Sequence, residues 1–210
     1  MKLYWSSRSP FVRKVMVVAH ELGLAGQIVT ERVLVSASKP NAVVMAHNPL
    51  GKLPTLILGD GQALYDSRVI CEYLASLQPQ PQLFATDGPA RFAALRRQAL
   101  ADGLMDTLLM WLMERAKPAE QQQPALIEGC RLKLGAVLDT MEKDAADQGE
   151  GGLQRAAFGI GQIATGVALA YLDFRFEPET WRVGRPNLAA WHAPFLERAS
   201  MRATQHADVY

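Results

Sequence analysis

The apolar positions of the first eighty residues change period several times. Leu3, Tyr4 and Trp5 follow a charged Lys2 and predict a short strand. Ser9-Pro10 then offers an N-cap and a proline at the first helical position. Val12, Val15, Met16, Ala19 and Leu22 recur at helical spacing until Gly23 stops the run. Residues 27–34 alternate well enough for a second strand, completing a β-α-β unit. A polar loop at 36–39 and a short helix within 40–46 lead to the turn Asn48-Pro49-Leu50-Gly51. Residues 55–58 predict a short buried strand, entered through Leu53-Pro54. A proline there donates nothing to a ladder and belongs at a strand start or edge; Pro54 is also a candidate cis proline. Gly59-Asp60-Gly61 predicts a hairpin turn and residues 62–65 a returning strand. Behind an Asp66-Ser67 cap, Val69, Ile70, Tyr73, Leu74 and Leu77 repeat at helical spacing.

Beyond residue 78 the pattern changes class. Residues 79–89 are rich in Pro, Gln, Asp and Gly and predict a linker. After it, helical periodicity dominates, with helices expected over 89–116, 124–146 and 160–174, and over 188–199 behind Pro186. The expected architecture is α/β plus all-α: a small mixed sheet with helices in a domain at 1–79, then a helical bundle at 88–210.

Composition narrows the function classes. The 210 residues are 49% apolar, ample for a core, and carry a net charge of +1 with acids and bases interspersed. That balance gives no reason to expect a nucleic acid or a membrane surface as partner. No apolar run approaches a membrane span and no signal peptide is evident, so a cytoplasmic protein is expected. Cys71 and Cys130 form no C-x-x-C, and the four histidines share no ligand spacing, so no metal is expected.

The candidate chemistry lies at residues 48–67. A strand entered at Leu53-Pro54, beside a capped helix start at Asp66-Ser67, offers an extended ligand exposed backbone groups and an anion site. With Ser9-Pro10-Phe11-Val12-Arg13-Lys14-Val15, the run 48–56, Tyr65-Asp66-Ser67, Ala101-Asp102-Gly103 and residues 170–175 in this order, the chain resembles the glutathione transferase superfamily. In particular it is similar to bacterial serine-type members. The resemblance implies a thioredoxin-like N-terminal domain, a helical-bundle C-terminal domain and, usually, a homodimer. It also implies glutathione as co-substrate, a small electrophile as second substrate, and detoxifying conjugation as the activity.

By that resemblance Ser9 is the catalytic residue, donating a hydrogen bond to the glutathione thiolate, with Ser6 and Ser7 as rivals in the same loop. Thiols ionise above neutral pH, and lowering a thiol pKa by roughly two units corresponds to about 2.7 kcal/mol, within reach of a hydroxyl donor plus a helix N-terminus. The Leu53 backbone at Pro54 is implied to pair with the cysteinyl unit, Ser67 to hold the γ-glutamyl carboxylate beside Asp66, and Lys39 to reach the glycyl carboxylate. Leu104, Leu108 and Trp111 are implied to line the electrophile pocket. Arg8 stands where some relatives carry cysteine, which argues against mixed-disulfide chemistry. Other readings remain: a non-catalytic scaffold with this fold, or a glutathione-dependent peroxidase or disulfide reductase. Ser9 and Asp66 are also adequately explained as helix caps, and Trp111 as core. Where relatives place a Ser or Thr cap and an Asp three residues on, this chain has Gly159 and Gln162, so Gln162 is expected to complete half a capping box.

Overall fold

A computed structural model describes residues 1–36, 38–79, 83–177 and 179–208. Ala37 of the expected polar loop and residues 80–82 of the expected linker lie outside the described residues. The chain divides into two compact units: residues 1–85 together with those from Arg198 onward, and residues 86–197.

The first unit is a four-stranded sheet in the order β2-β1-β3-β4. Strand β1 (Lys2–Trp5) pairs in parallel with β2 (Val29–Arg32) and antiparallel with β3 (Thr55–Ile57), which pairs antiparallel with β4 (Ala63–Leu64). Side chains alternate across this sheet. Tyr4 and Ile57 therefore share a face and form a buried cluster with Val44, while their neighbours Leu3 and Leu56 point the other way. Helix α1 (Pro10–Glu21) packs on α3 (Ser67–Ser76), and α2 (Ala42–Met45) supplies Val44. Of the expected apolar stripe, Val12, Val15, Ala19 and Leu22 are buried and Met16 is only half-buried; Val17 and Val18 are buried too, and fully covering a valine such as Val15 or Val18 contributes about 1.5–3 kcal/mol. Gly23, at φ +69°, adopts the left-handed conformation that ends the helix.

The second unit comprises α4 (Gly88–Arg115), α5 (Pro124–Ala146), α6 (Ile160–Arg175) and α7 (Pro186–Leu196). Helix α6 is buried at every position from Ile160 to Leu172 and packs against α4. That packing needs small residues. A Cβ on Gly161 would crowd Ala94 O and Arg97 Cβ, both at 3.1 Å, and one on Gly166 would run into the Phe195 ring. Gly159 is the N-cap of α6, but Gln162 completes no capping box. Its amide instead donates to the carbonyls of Ala156 and Ala157 at 3.2 and 3.1 Å.

One expected element is split. In place of a helix over 188–199, α7 ends at Leu196 and a separate α8 (Ala199–Ala203) follows Arg198. Arg198 takes an extended conformation (φ −58°, ψ 139°) and its guanidinium grips Glu21 of α1 through Nε–Oε1 and Nη2–Oε2 contacts of 2.9 and 2.7 Å. Ser200 donates to the same carboxylate at 2.5 Å. The chain's last segment is thereby held on α1, and not grouped with the helical bundle as a boundary at 88–210 expects.

Candidate functional site

Strand register alone gathers the sequence-predicted groups at one end of the sheet. The pairing of Tyr4 with Thr55 sets the exit of β1 beside the entry of β3. The loop 6–9 and the Leu53-Pro54 peptide are therefore neighbours in the sheet direction. Because β3 and β4 run antiparallel with Leu56 opposite Leu64, the chain leaves β4 at this same end and enters α3 through Asp66-Ser67. Strand β2, parallel to β1, also exits here and leads to the exposed Lys39. Asn41 closes that loop, donating from Nδ2 to Leu34 O at 2.9 Å and capping α2.

The three serines after β1 differ in what they hold. Ser7 donates its hydroxyl to Ala207 O at 2.8 Å, and its proton is thereby committed to the C-terminal segment. Ser6 Oγ accepts from Arg8 N–H at 3.3 Å. Ser9 is the N-cap of α1: its Oγ accepts from Val12 N–H at 3.3 Å, and Pro10 follows at the first helical position. A hydroxyl that accepts on one side keeps its O–H for a second partner. Ser9 thus combines an uncommitted proton with the positive end of a twelve-residue helix.

Leu53-Pro54 is cis, and so is Tyr65-Asp66. Among the described residues no backbone group engages the Leu53 N–H or C=O. Asp66 caps α3 by accepting from Arg68 N–H at 2.9 Å, and its second carboxylate oxygen lies 3.4 Å from Arg68 Nε. Ser67, 2% exposed, opens α3, where the first-turn N–H groups have no intrahelical partner.

Sequence reasoning passed over the group that holds the Leu53 loop in shape. Asn48, 1% exposed, donates from Nδ2 to Lys52 O (3.2 Å) and to Thr55 Oγ1 (2.9 Å), and accepts from Leu50 N–H at 3.0 Å. Thr55, fully buried, donates onward to Lys52 O at 2.9 Å. The Asn-Pro turn was visible in the sequence as a turn; its buried amide was not.

Leu104, Leu108 and Trp111 are all buried, at 1%, 0% and 2% exposure. The Trp111 ring packs on Phe176 with centroids 4.9 Å apart. These residues present no surface to a second substrate in this conformation. Both cysteines are buried as well. Among the described residues no group of three or more His, Cys, Asp or Glu side chains suits a metal ion. No helix is long and apolar enough to cross a membrane.

Comparison with known proteins gives a consistent answer. Residues 8–77 match the glutathione S-transferase N-terminal domain family, and residues 124–203 match the C-terminal domain family. The chain is 33% identical to the uncharacterized GST-like protein YibF of Escherichia coli over 98% of both chains. It is similar to a crystal structure of a glutathione transferase family member from Pseudomonas fluorescens with bound glutathione (38% identity, TM-score 0.92, 98% of each chain). It is also similar to a glutathione S-transferase from Methylobacillus flagellatus with GSH bound (39% identity, TM-score 0.85, 98% of this chain and 99% of that one).

Proposed function

The chain belongs to the glutathione S-transferase superfamily, and on that premise we propose that it binds glutathione at the sheet end and joins the thiolate sulfur of glutathione to a small electrophile. The observation that carries this reading is the state of Ser9. Its oxygen is anchored to Val12 N–H, and its proton is free to point away from the helix toward a sulfur.

In the proposed mechanism the γ-glutamyl carboxylate sits at the start of α3, on the Ser67 hydroxyl and first-turn N–H groups, with Asp66 facing its ammonium. The cysteinyl unit pairs with the Leu53 N–H and C=O as an added strand does, and the glycyl carboxylate is within the reach of Lys39. These contacts bring the thiol to the mouth of α1. Hydrogen bonding from Ser9 and the helix dipole favour the ionised form, whose proton passes to solvent. The sulfur lone pair then forms a bond to the electrophilic carbon, and the leaving group departs with the electron pair of the bond it loses. Leu104, Leu108 and Trp111, all on α4, contact that electrophile only if the packing that buries them opens. Conjugation is preferred to disulfide exchange through a protein thiol, because both cysteines are buried.

The test is the ionisation of bound glutathione, followed by ultraviolet difference absorbance against pH and paired with turnover of a panel of alkyl and aryl halides and activated alkenes. Ser9→Ala is expected to raise the bound-thiol pKa by about 1–2 units, the worth of a hydrogen bond to a charged group. Ser7→Ala is expected to leave it in place. Equal ionisation in wild type and Ser9→Ala overturns the role of Ser9. Glutathione binding without turnover of any electrophile favours the scaffold reading.

A further inference from the structure

The loop after β1 has a second face that conjugation does not use. A cavity of about 230 Å³ is lined by Trp5, Ser6, Arg13, Thr30, Thr204 and Gln205 among others. Neither Ser9 nor Leu53, Pro54, Asp66 or Ser67 lines it. All of its walls belong to the first unit: β1 and its loop, α1, the edge strand β2 and the segment after α8.

Arg13 is what makes the cavity unusual. It is 7% exposed, and among the described residues no carboxylate pairs with it. Its Nη2 donates to Met201 O at 3.1 Å, and its Nε has no hydrogen-bond partner. Burial pushes the guanidinium pKa down to about 10, which still leaves it charged at neutral pH. Buried arginines are ordinarily paired, because an uncompensated charge away from water is expensive. Beside the apolar Met16 and Ala203, several neighbours carry donors. Thr30 contributes a hydroxyl, Gln205 a carboxamide and Trp5 an indole N–H, all capable of donating to an anion. Nearby acids are engaged elsewhere: Glu31 with Lys2, Glu21 with Arg198 and Asp208 with Arg8.

We propose that this cavity is a binding site for a small oxyanion, a carboxylate or phosphate group held by the Arg13 guanidinium and the donors of Thr30, Gln205 and Trp5. The site is separate from that proposed for glutathione and does not depend on it. A planar guanidinium takes two oxygens of such a group side by side, which a lysine does not. The volume admits a free phosphate or a short carboxylic acid and excludes a tripeptide lying along the sheet end. Because Arg13 and the Thr204 and Gln205 wall meet across the cavity, an occupant would also fasten the chain's last segment to α1.

The experiment is a titration of the full-length protein with inorganic phosphate, and separately with succinate, at constant ionic strength maintained with chloride. It is read by the Arg13 Nε–H and Trp5 indole N–H resonances. Both signals are expected to shift saturably with one of these probes, and the probe that binds identifies the source of the oxyanion. Saturating glutathione should leave the shift in place. Thr30→Ala and Gln205→Ala, on the exposed rim, should each weaken the apparent affinity by about 3-fold or more, and Arg13→Met by about tenfold or more. If Arg13→Met does not fold, the rim variants decide. Absence of a saturable shift with either probe overturns the proposal, as does loss of the shift with glutathione or indifference to both rim substitutions. None of those outcomes bears on the ionisation test of Ser9.

Discussion

Replacing Asn48 by alanine should test whether the glutathione site is built by the loop that precedes it. The amide makes two donations and one acceptance inside a residue that is 1% exposed. At about 1 kcal/mol net for each ordinary hydrogen bond, the three sum to roughly 3 kcal/mol. Two features lower that figure. Lys52 O keeps its bond from Thr55 Oγ1, and Leu50 N–H lies close enough to the surface to recover water. The expected loss is therefore about 2–3 kcal/mol, at the upper end for a single substitution. Thr55→Val conserves shape and removes only the hydroxyl, so about 1–1.5 kcal/mol is expected. The double mutant should fall short of the sum, because the two residues share a bond at 2.9 Å.

Urea titration measures these losses; calorimetry of glutathione binding measures their meaning. A loop that is no longer fixed must be ordered by the ligand, at about 1–2 kcal/mol for each residue restrained, so glutathione affinity should fall about tenfold or more in Asn48→Ala. Two results refute the reasoning. A stability loss under about 0.5 kcal/mol means the network carries no weight. A full stability loss with unchanged glutathione affinity means the loop is structural and Leu53 is not a ligand contact.

Two further expectations concern the scaffold. Glu21 is held below the ordinary carboxylate range of about 4.5, chiefly by the hydrogen bond from Arg198 and then by that from Ser200, with burial opposing. A lowered folded pKa contributes stability that is complete above the unfolded value and is lost as pH falls through the folded one. Glu21→Gln should therefore be less stable than wild type at neutral pH, and the gap should close below about pH 4.5 in urea titrations run across that window. A gap independent of pH would show that the carboxylate is not the source. In the second unit, Gly166→Ala forces a methyl group into the Phe195 ring and should destabilise by about 1–3 kcal/mol, with partial recovery in the double mutant carrying Phe195→Leu. Thermal denaturation of the three variants measures both effects.

What the sequence disclosed and what it withheld divide along the distance over which each feature is determined. Helix α5 was expected over 124–146 and occurs there, because a proline at its start and an apolar stripe along it are local facts. The cis state of Leu53-Pro54 was anticipated for the same reason; that of Tyr65-Asp66 was not, since no residue type announces it. Helix α7 was drawn too long because its end is set by Arg198 meeting Glu21, a partner 177 positions earlier. The sequence assigned Arg13 no role of its own, and the return of Met201 and Gln205 to that face makes it a buried cation beside a cavity.

The same principle explains why Ser6 and Ser7 stood as rivals to Ser9, three serines within four residues. Each follows β1, each precedes or caps a helix, and each carries the hydroxyl that thiolate stabilisation calls for. What separates Ser7 from Ser9 is occupancy; Ser6, which also only accepts, differs from Ser9 in not capping α1. Ser7 spends its proton on Ala207 O, 200 residues downstream, whereas Ser9 uses only its lone pair, on Val12 three residues ahead. A donor already engaged by the chain's last segment can serve a ligand only by releasing that segment. A donor anchored through its acceptor side is held in place and still available. The choice of Ser9 over Ser7 therefore follows from how the C-terminal segment packs on the first unit. Shortening the chain after Thr204 should free the Ser7 hydroxyl and be the one change that makes Ser7→Ala alter the ionisation of bound thiol, as the same pH-dependent absorbance would record.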